Sequence, residues 1–128
     1  MKYRDFKDFD TWKKARVLVK EIHLLLKKLP KHEDYALSIQ MRRAAISISS
    51  NLAEGHDRQS SKEFLHFISI ARGSRSELES QLILCLDLDY LTDEETKYAF
   101  SLLDEINKMT TAMTNTLLAK LNSKGFTS

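Results

Sequence analysis

The sequence predicts an all-α protein, an antiparallel four-helix bundle with up-down-up-down topology. Three observations support this prediction. Only three Gly and one Pro occur among the 128 residues, so few positions would interrupt a helix. Apolar residues recur at intervals of three and four along four long segments, which is the spacing of one helix face. The connections between these segments are short, so we expect consecutive helices to be antiparallel neighbours.

The first two helices are predicted over residues 10–29 and 33–54. The first ends before Pro30, because proline disfavours a helical conformation in the residue that precedes it. We expect the second to end at Gly55, which can take the left-handed conformation of a helix C-cap without a Cβ clash. The predicted core faces comprise Trp12, Ala15, Val19, Ile22, Leu26 and Leu29, and Leu37, Met41, Ala44, Ala45, Ile48 and Leu52.

The third and fourth helices are predicted over residues 61–88 and 93–121, and each opens with a capping box. Ser60 with Glu63, and Thr92 with Glu95, place a hydroxyl and a carboxylate three residues apart, so that each pair can satisfy two backbone amides. Gly73 interrupts the third helix. We expect it to let the backbone approach small residues of the second helix; the alternative is a kink or a ligand notch. Residues 1–128 form one domain, with a frayed tail at 122–128.

Composition narrows the class of protein. The single cysteine, Cys85, cannot form an internal disulfide, which indicates a reducing compartment. No apolar run approaches the roughly 18 residues that suggest a membrane span, and the first residues lead into no apolar segment typical of a signal peptide. We therefore expect a soluble cytoplasmic protein with no membrane partner.

No catalytic or metal site is predicted. A Glu three residues before a His occurs once, at Glu63 and His66. Di-iron bundles use this motif twice, so a pair of solvated side chains is the favoured interpretation. Cys85 lies on a core face, as a structural thiol does. No base stands at a readable spacing from the serines of the second helix, and no Gly-rich phosphate loop occurs. We expect no enzymatic activity, no cofactor, no metal and no small-molecule substrate.

Positive charge is concentrated near the start of the chain. Residues 1–31 carry ten Lys and Arg against four Asp and Glu, although the net charge of the whole chain is only +2. A solvated face is the simpler interpretation of these cations. The functional interpretation is a weak, salt-sensitive nucleic-acid surface, with backbone contacts only because no aromatic residues are interleaved. The candidate binding residues are Lys13, Lys14, Arg16, Lys20, Lys27 and Lys28.

Two further sets of residues are assigned to packing. Arg42 and Arg43 are predicted to pair with a largely buried Glu77 or with Glu79, in a polar network that comprises Arg42, Arg43, Asn51, Glu54, Glu77 and Glu79. Apolar residues away from the core faces form the second set. A bundle buries one face of each helix, so a second apolar seam predicts a homo-oligomer. The predicted interface comprises Ile39, Ile46, Ala53, Leu65 and Ile83.

The second helix also carries a recognisable motif. The run QMRRAAISI at residues 40–48, followed by NLAEG at 51–55, resembles the signature of the bacterial four-helix bundle protein family. That family includes proteins encoded in intervening sequences of large-subunit ribosomal RNA genes. The likeness spans about residues 6–121 and continues in the third helix at Phe64, Phe67, Ala71, Gly73, Ser74, Glu77, Leu78 and Glu79. Ser49 departs from it, since many relatives have proline at that position.

The resemblance implies a homopentameric ring with no known enzyme activity. A related branch, the accessory variability determinant of diversity-generating retroelements, is similar in fold and binds a reverse transcriptase and nucleic acid. Members of that branch are strongly basic, whereas this chain is not. The favoured hypothesis is a non-enzymatic oligomeric bundle that interacts with RNA, including ribosomal RNA. The alternative is a protein-interaction scaffold, such as a reverse-transcriptase accessory subunit.

Overall fold

The computed structural model describes residues 5–123, which form four long helices and two single 3-10 turns. The helices are α1 (Asp10–Leu26), α2 (Leu37–His56), α3 (Ser61–Asp87) and α4 (Asp93–Ser123), and the turns are Phe6–Asp8 and Lys31–Glu33. Each helix packs against its neighbours in sequence, and α1 also packs against α4, so the bundle is closed. No strand occurs within 5–123. None of the described helices is both long enough and apolar enough to cross a membrane.

One apolar core runs through the bundle and draws on all four helices. The stripes predicted on the first two helices are buried almost throughout, which confirms the period of the pattern. Trp12, Val19 and Leu37 are exceptions, because they lie only half-buried at the edge of this core. The largest completely buried apolar side chains are Leu18, Ile22, Met41, Ile48, Leu52, Ile68, Leu78, Leu82, Leu102, Leu103 and Ile106.

The connection between α1 and α2 is longer than the sequence predicted. Helix α1 ends at Leu26, and α2 begins at Leu37 rather than at Glu33. Glu33 instead lies outside the helix, where its carboxylate accepts a bond of 3.3 Å from the Leu37 amide and one of 2.7 Å from the Tyr90 hydroxyl. The bond from Tyr90 lowers the pKa of Glu33. This carboxylate therefore joins the start of α2 to the turn between α3 and α4.

The ends of α3 and α4 largely follow the prediction. The Ser60 hydroxyl accepts from the Glu63 amide, and Thr92 and Glu95 form both reciprocal bonds of a capping box. After α3, Asp89 takes a left-handed conformation with φ of 62°, a position where glycine is usual. Helix α4 continues to Ser123, two residues beyond the prediction, while residues 124–128 of the predicted tail lie outside the described residues.

Gly55 is not the left-handed C-cap that the sequence predicted. Helix α2 continues through it to His56, and Gly55 is buried. A Cβ added at Gly55 would lie 2.8 Å from the Cβ of Phe67 and 3.0 Å from the ring of Phe64. The missing side chain therefore lets α2 and α3 approach each other closely, which is the role expected of Gly73.

Gly73 has no such role. It is exposed, and a Cβ added there would meet no atom within 4 Å outside its own stretch of helix. The prediction that Gly73 packs near Ala44 and Ala45 was wrong, because this glycine lies on the exposed face of α3. It lies instead on the rim of an open groove between α3 and α4.

The two helical glycines should respond oppositely to alanine. We expect Gly55→Ala to lower the free energy of unfolding by about 1–3 kcal/mol, because the new methyl group overlaps Phe67. We expect Gly73→Ala to raise it by about 1 kcal/mol, because glycine is the poorer helix former and nothing obstructs the methyl group. Urea denaturation of both variants measures these changes. A loss of stability at both positions would contradict the assignment.

Candidate nucleic-acid interface

The cations of α1 divide between two sides of the helix. The Lys14 ammonium lies 3.3 Å from the Glu105 carboxylate, and the Lys28 ammonium lies 3.0 Å from that of Glu95. Both acidic partners belong to α4. Two of the six predicted binding residues are therefore held by α4, and their charge is partly neutralised there.

The remaining candidate cations, on α1 and directly after it, have no acidic partner among the described residues. Lys13, Lys20 and Lys27 are exposed and form no ion pair within residues 5–123. Arg16 is also exposed, and its guanidinium lies 5.6 Å from the centre of the Trp12 ring, in a cation–π contact. These four charges are available to a ligand. Three of them, on Arg16, Lys20 and Lys27, lie next to residues of α2.

A groove follows the seam between α1 and α2. It consists of two adjoining hollows of about 320 and 340 Å³, and His23 and Arg42 line both of them. Cationic residues line its length, with Asp34 as the one acidic residue among those that line the two hollows. The lining cationic and histidine side chains are those of Arg16, Lys20, His23, Lys27 and Arg42.

The floor of this groove is apolar. Val19, Ile22, Ala45 and Ile46 line the first hollow. The second contains Tyr35, which is 91% exposed. An aromatic residue therefore stands at one end of the basic groove, where the sequence analysis expected none. It was missed because the sequence analysis placed residue 35 inside the second helix, whereas Tyr35 lies in the connection before α2.

Arg42 and Arg43 do not form the predicted network with α3. Both are exposed, and neither has an ion pair within residues 5–123. Glu79 binds Arg75 of its own helix at 3.1 Å. Glu77 is exposed rather than buried, and it accepts a long bond of 3.4 Å from Gln81. The prediction was wrong because the α2 backbone directs Arg42 toward α1 instead of α3.

Smaller polar groups join α2 to α3. The hydroxyls of Ser47 and Ser74 lie 2.8 Å apart, and the Asn51 side-chain amide donates to the Ser47 carbonyl and hydroxyl at 2.8 and 3.0 Å. Asn51 is thus the one member of the predicted network that lies at this seam in a hydrogen-bonded cluster. Glu54 pairs with Arg58 at the end of α2 instead.

The predicted interface residues do not form one patch. Ile46 and Ile83 are nearly half exposed, whereas Ile39, Ala53 and Leu65 are half-buried. Ile46 lines the groove between α1 and α2, and Leu65 lines the groove between α3 and α4. The two helices thus direct these residues toward different neighbours. Further exposed apolar side chains lie at the end of α3, among them Leu84 and, directly after the helix, Leu88.

The groove between α3 and α4 also contains arginines, but these are engaged. It measures about 490 Å³ and is bordered by Gly73. The Arg72 guanidinium donates to the Thr111 hydroxyl at 3.0 Å, and Arg75 pairs with Glu79. A ligand in this groove would therefore have to replace the bond of Arg72 to Thr111 and the ion pair of Arg75 with Glu79.

Glu63, His66 and Cys85 are the residues that the sequence analysis considered for metal or covalent chemistry. Glu63 and His66 are both exposed, and within residues 5–123 no group of three or more His, Cys, Asp and Glu is placed to hold a metal ion. The Cys85 thiol is buried, as predicted, and donates to the Met41 sulfur at 3.7 Å. Burial raises the pKa of Cys85 to about 11, with a smaller contribution from the charge of Glu33.

Similarity to known proteins agrees with the motif in α2. The sequence profile of the 23S rRNA-intervening sequence protein family matches residues 7–112, most of the chain. The chain belongs to this family. A solved structure from Bacteroides thetaiotaomicron, a protein of unknown function from the S23 ribosomal protein family, is similar to this 23S rRNA-intervening sequence protein with a TM-score of 0.76 and 27% identity. The similarity covers 81% of this chain and 97% of that one. No curated protein matches the chain.

The seam between α2 and α3 should depend on its small polar groups and not on the arginines. We expect Asn51→Ala to lower the free energy of unfolding by about 1 kcal/mol, because it removes two hydrogen bonds at a half-buried site. Arg43→Ala and Glu77→Ala should each change it by less than about 0.5 kcal/mol and combine additively. Urea denaturation of the variants measures this. If Arg43→Ala and Glu77→Ala each lowered the free energy of unfolding strongly and their effects were not additive, the two residues would interact after all.

Proposed function

We propose that this member of the 23S rRNA-intervening sequence protein family is a non-enzymatic, self-associating bundle that binds RNA through the groove between α1 and α2. One observation carries the RNA part of the proposal. Lys20, Lys27 and Arg42 line or border a single groove without an acidic partner within residues 5–123, and Arg16 extends the same surface. An unneutralised row of cations in a concave surface is suited to a phosphate backbone.

Charge neutralisation gives this binding a defined salt dependence. Each cation that contacts a phosphate releases a condensed counterion, so the affinity falls as salt rises. About four contacts on a single strand would give a slope near −3 for the logarithm of the affinity against the logarithm of the salt concentration. Such binding is weak at physiological salt and carries little sequence information.

Ribosomal RNA is the polyanion with the strongest support. The family takes its name from intervening sequences of 23S rRNA, and the similar solved structure comes from a family named for a ribosomal protein. We therefore propose RNA of ribosomal origin as the ligand to test first. The bundle would act by holding RNA and not by chemical conversion.

Charge reversal on the two sides of α1 should separate the groove from the rest of the helix. We expect Lys20→Glu with Arg42→Glu to abolish binding of a labelled ribosomal RNA fragment, because both residues line the groove. Lys14→Glu with Lys28→Glu makes the same change in net charge on the side held by α4, so it should weaken binding much less. Fluorescence anisotropy across a salt series measures both. Equal loss from the two pairs, or salt-independent binding, would contradict the groove.

Exposed apolar residues support self-association. Ile83 and Leu84 of α3, and Leu88 directly after it, are each close to half exposed, as is Leu24 of α1. Apolar side chains clustered on a surface mark interfaces more often than solitary ones do. They lie on more than one side of the bundle, as a head-to-tail ring requires, since such an interface joins two different surfaces of each subunit. The family resemblance suggests that the ring has five subunits.

Light scattering should detect the assembly. We expect the unmutated protein to have a mass several times its 14.8 kDa chain mass, and Ile83→Asp with Leu84→Asp to dissociate it while circular dichroism shows the helices retained. Lys62→Asp, at an exposed position in the first turn of the same helix, makes the same change in net charge about 30 Å from Ile83. It is the matched control and should leave the assembly intact. Ile46→Asp tests the predicted interface residue of α2. It is measured separately, because Ile46 also lines the groove between α1 and α2 and the change could affect RNA binding as well. An unmutated monomer at micromolar concentration would defeat the proposal.

A further inference from the structure

We propose that the groove between α1 and α2 selects single-stranded over duplex RNA, with the ring of Tyr35 as a stacking platform for a base. This inference rests on the proposed RNA binding and adds the form of the nucleic acid. It depends on three features of the groove: an aromatic ring that packing does not explain, an apolar floor, and a limited length.

Binding of phosphates by cations alone would not require an aromatic ring such as that of Tyr35. Tyr35 is 91% exposed and makes no hydrogen bond, ring contact or ion pair within residues 5–123. The ring therefore contributes little to the stability of the bundle. It lines the same hollow as Lys27 and Arg42, so a phosphate held by these cations would carry its base past the ring. Stacking on an aromatic ring is open to every base, which suits binding without sequence preference.

The apolar floor favours the same ligand. Val19, Ala45 and Ile46 lie beneath the cations, and Ile46 keeps 45% of its surface exposed in the absence of a ligand. A duplex turns its phosphates outward and keeps its base faces stacked inside, so it could contact the cationic rim but could not cover this floor. The splayed bases of a single strand can lie on it and bury apolar surface.

The length of the groove limits the ligand to a short segment. From Arg16 to Lys27 the groove follows α1 for eleven residues, or about 16 Å at the helical rise. A stacked strand advances about 3.4 Å for each nucleotide, so about five nucleotides would fill the groove. Arg16 lines the far end of the groove, and its guanidinium lies 5.6 Å from the centre of the Trp12 ring.

Two probes test the selection. The first is a fluorescein-labelled RNA of mixed sequence and about 12 nucleotides, within the usual range of single-strand site sizes. The second is the same RNA annealed to its complement. By anisotropy at low salt we expect the single strand to bind about tenfold more tightly than the duplex. The single tryptophan, Trp12, gives a second readout, because its emission should be quenched by the bound single strand.

Variants at two exposed tyrosines locate the stacking contact. Tyr35→Ala should weaken single-strand binding about tenfold and leave duplex binding unchanged, while Tyr35→Phe retains the ring and should restore affinity to within about twofold. Tyr98→Ala is the matched control, because Tyr98 is also more than half exposed but lies on α4, away from the groove. It should change neither affinity.

The outcomes separate this inference from the proposed function. If the duplex binds as tightly as the single strand and Tyr35→Ala has no effect, while Lys20→Glu with Arg42→Glu still abolishes binding, the stacking inference is wrong and the RNA groove remains. If neither probe shows salt-sensitive binding to the unmutated protein, the proposed function is wrong and the inference fails with it.

Discussion

The close approach of α2 and α3 at Gly55 is the contact on which the arrangement of the other side chains depends. Phe64 and Phe67 of α3 occupy the space where a Cβ would stand, so the two backbones come together at one end of the pair. Further along the seam, the small side chains of Ser47 and Ser74 meet with their hydroxyls 2.8 Å apart. Arg42 lies on the other side of α2, where it lines the groove toward α1.

The consequence for the surface is electrostatic. Arg42 turns toward α1 and joins Lys20 and Lys27 along one groove. The opposite side of α1 is neutralised by α4, through the pairs of Lys14 with Glu105 and Lys28 with Glu95. Although the net charge of the chain is only +2, unpaired positive charge is therefore concentrated along the groove between α1 and α2. Local concentration of charge, more than net charge, decides whether a protein holds a polyanion.

Exposed ion pairs such as these contribute little to stability, roughly 0–1 kcal/mol each. Their larger effect here is to decide which cations remain available. The same reasoning separates the two grooves of the bundle. In the groove between α3 and α4, Arg72 and Arg75 are already bound to Thr111 and Glu79. A ligand there would have to replace those bonds, whereas phosphates in the groove between α1 and α2 would replace only water and counterions.

The sequence by itself determined the four helices and the core. Periodicity is a property of each helix alone, so stripes such as Met41, Ala44, Ala45 and Ile48 identify the buried face without reference to a neighbour. Capping boxes are equally local, and the one at Thr92 and Glu95 was correctly predicted. The motif in α2 added the family for the same reason, since it is a linear pattern. The start of α2 was misplaced because Glu33 is fixed by Tyr90, 57 residues away in sequence.

Tertiary structure alone decided the partners of the polar residues and the roles of the glycines. Gly55 and Gly73 are indistinguishable in a helical pattern, and only the approach of Phe67 shows that the first is required for packing. Likewise, the sequence does not distinguish the six candidate cations from one another. In the structure, carboxylates of α4 pair with Lys14 and Lys28, whereas Arg42 of α2 lies beside Arg16 and Lys20. Helix periodicity fixes the angle of a side chain around its own axis. What that side chain meets depends on how neighbouring helices are rotated and how closely they pack, and those quantities are set by the core as a whole.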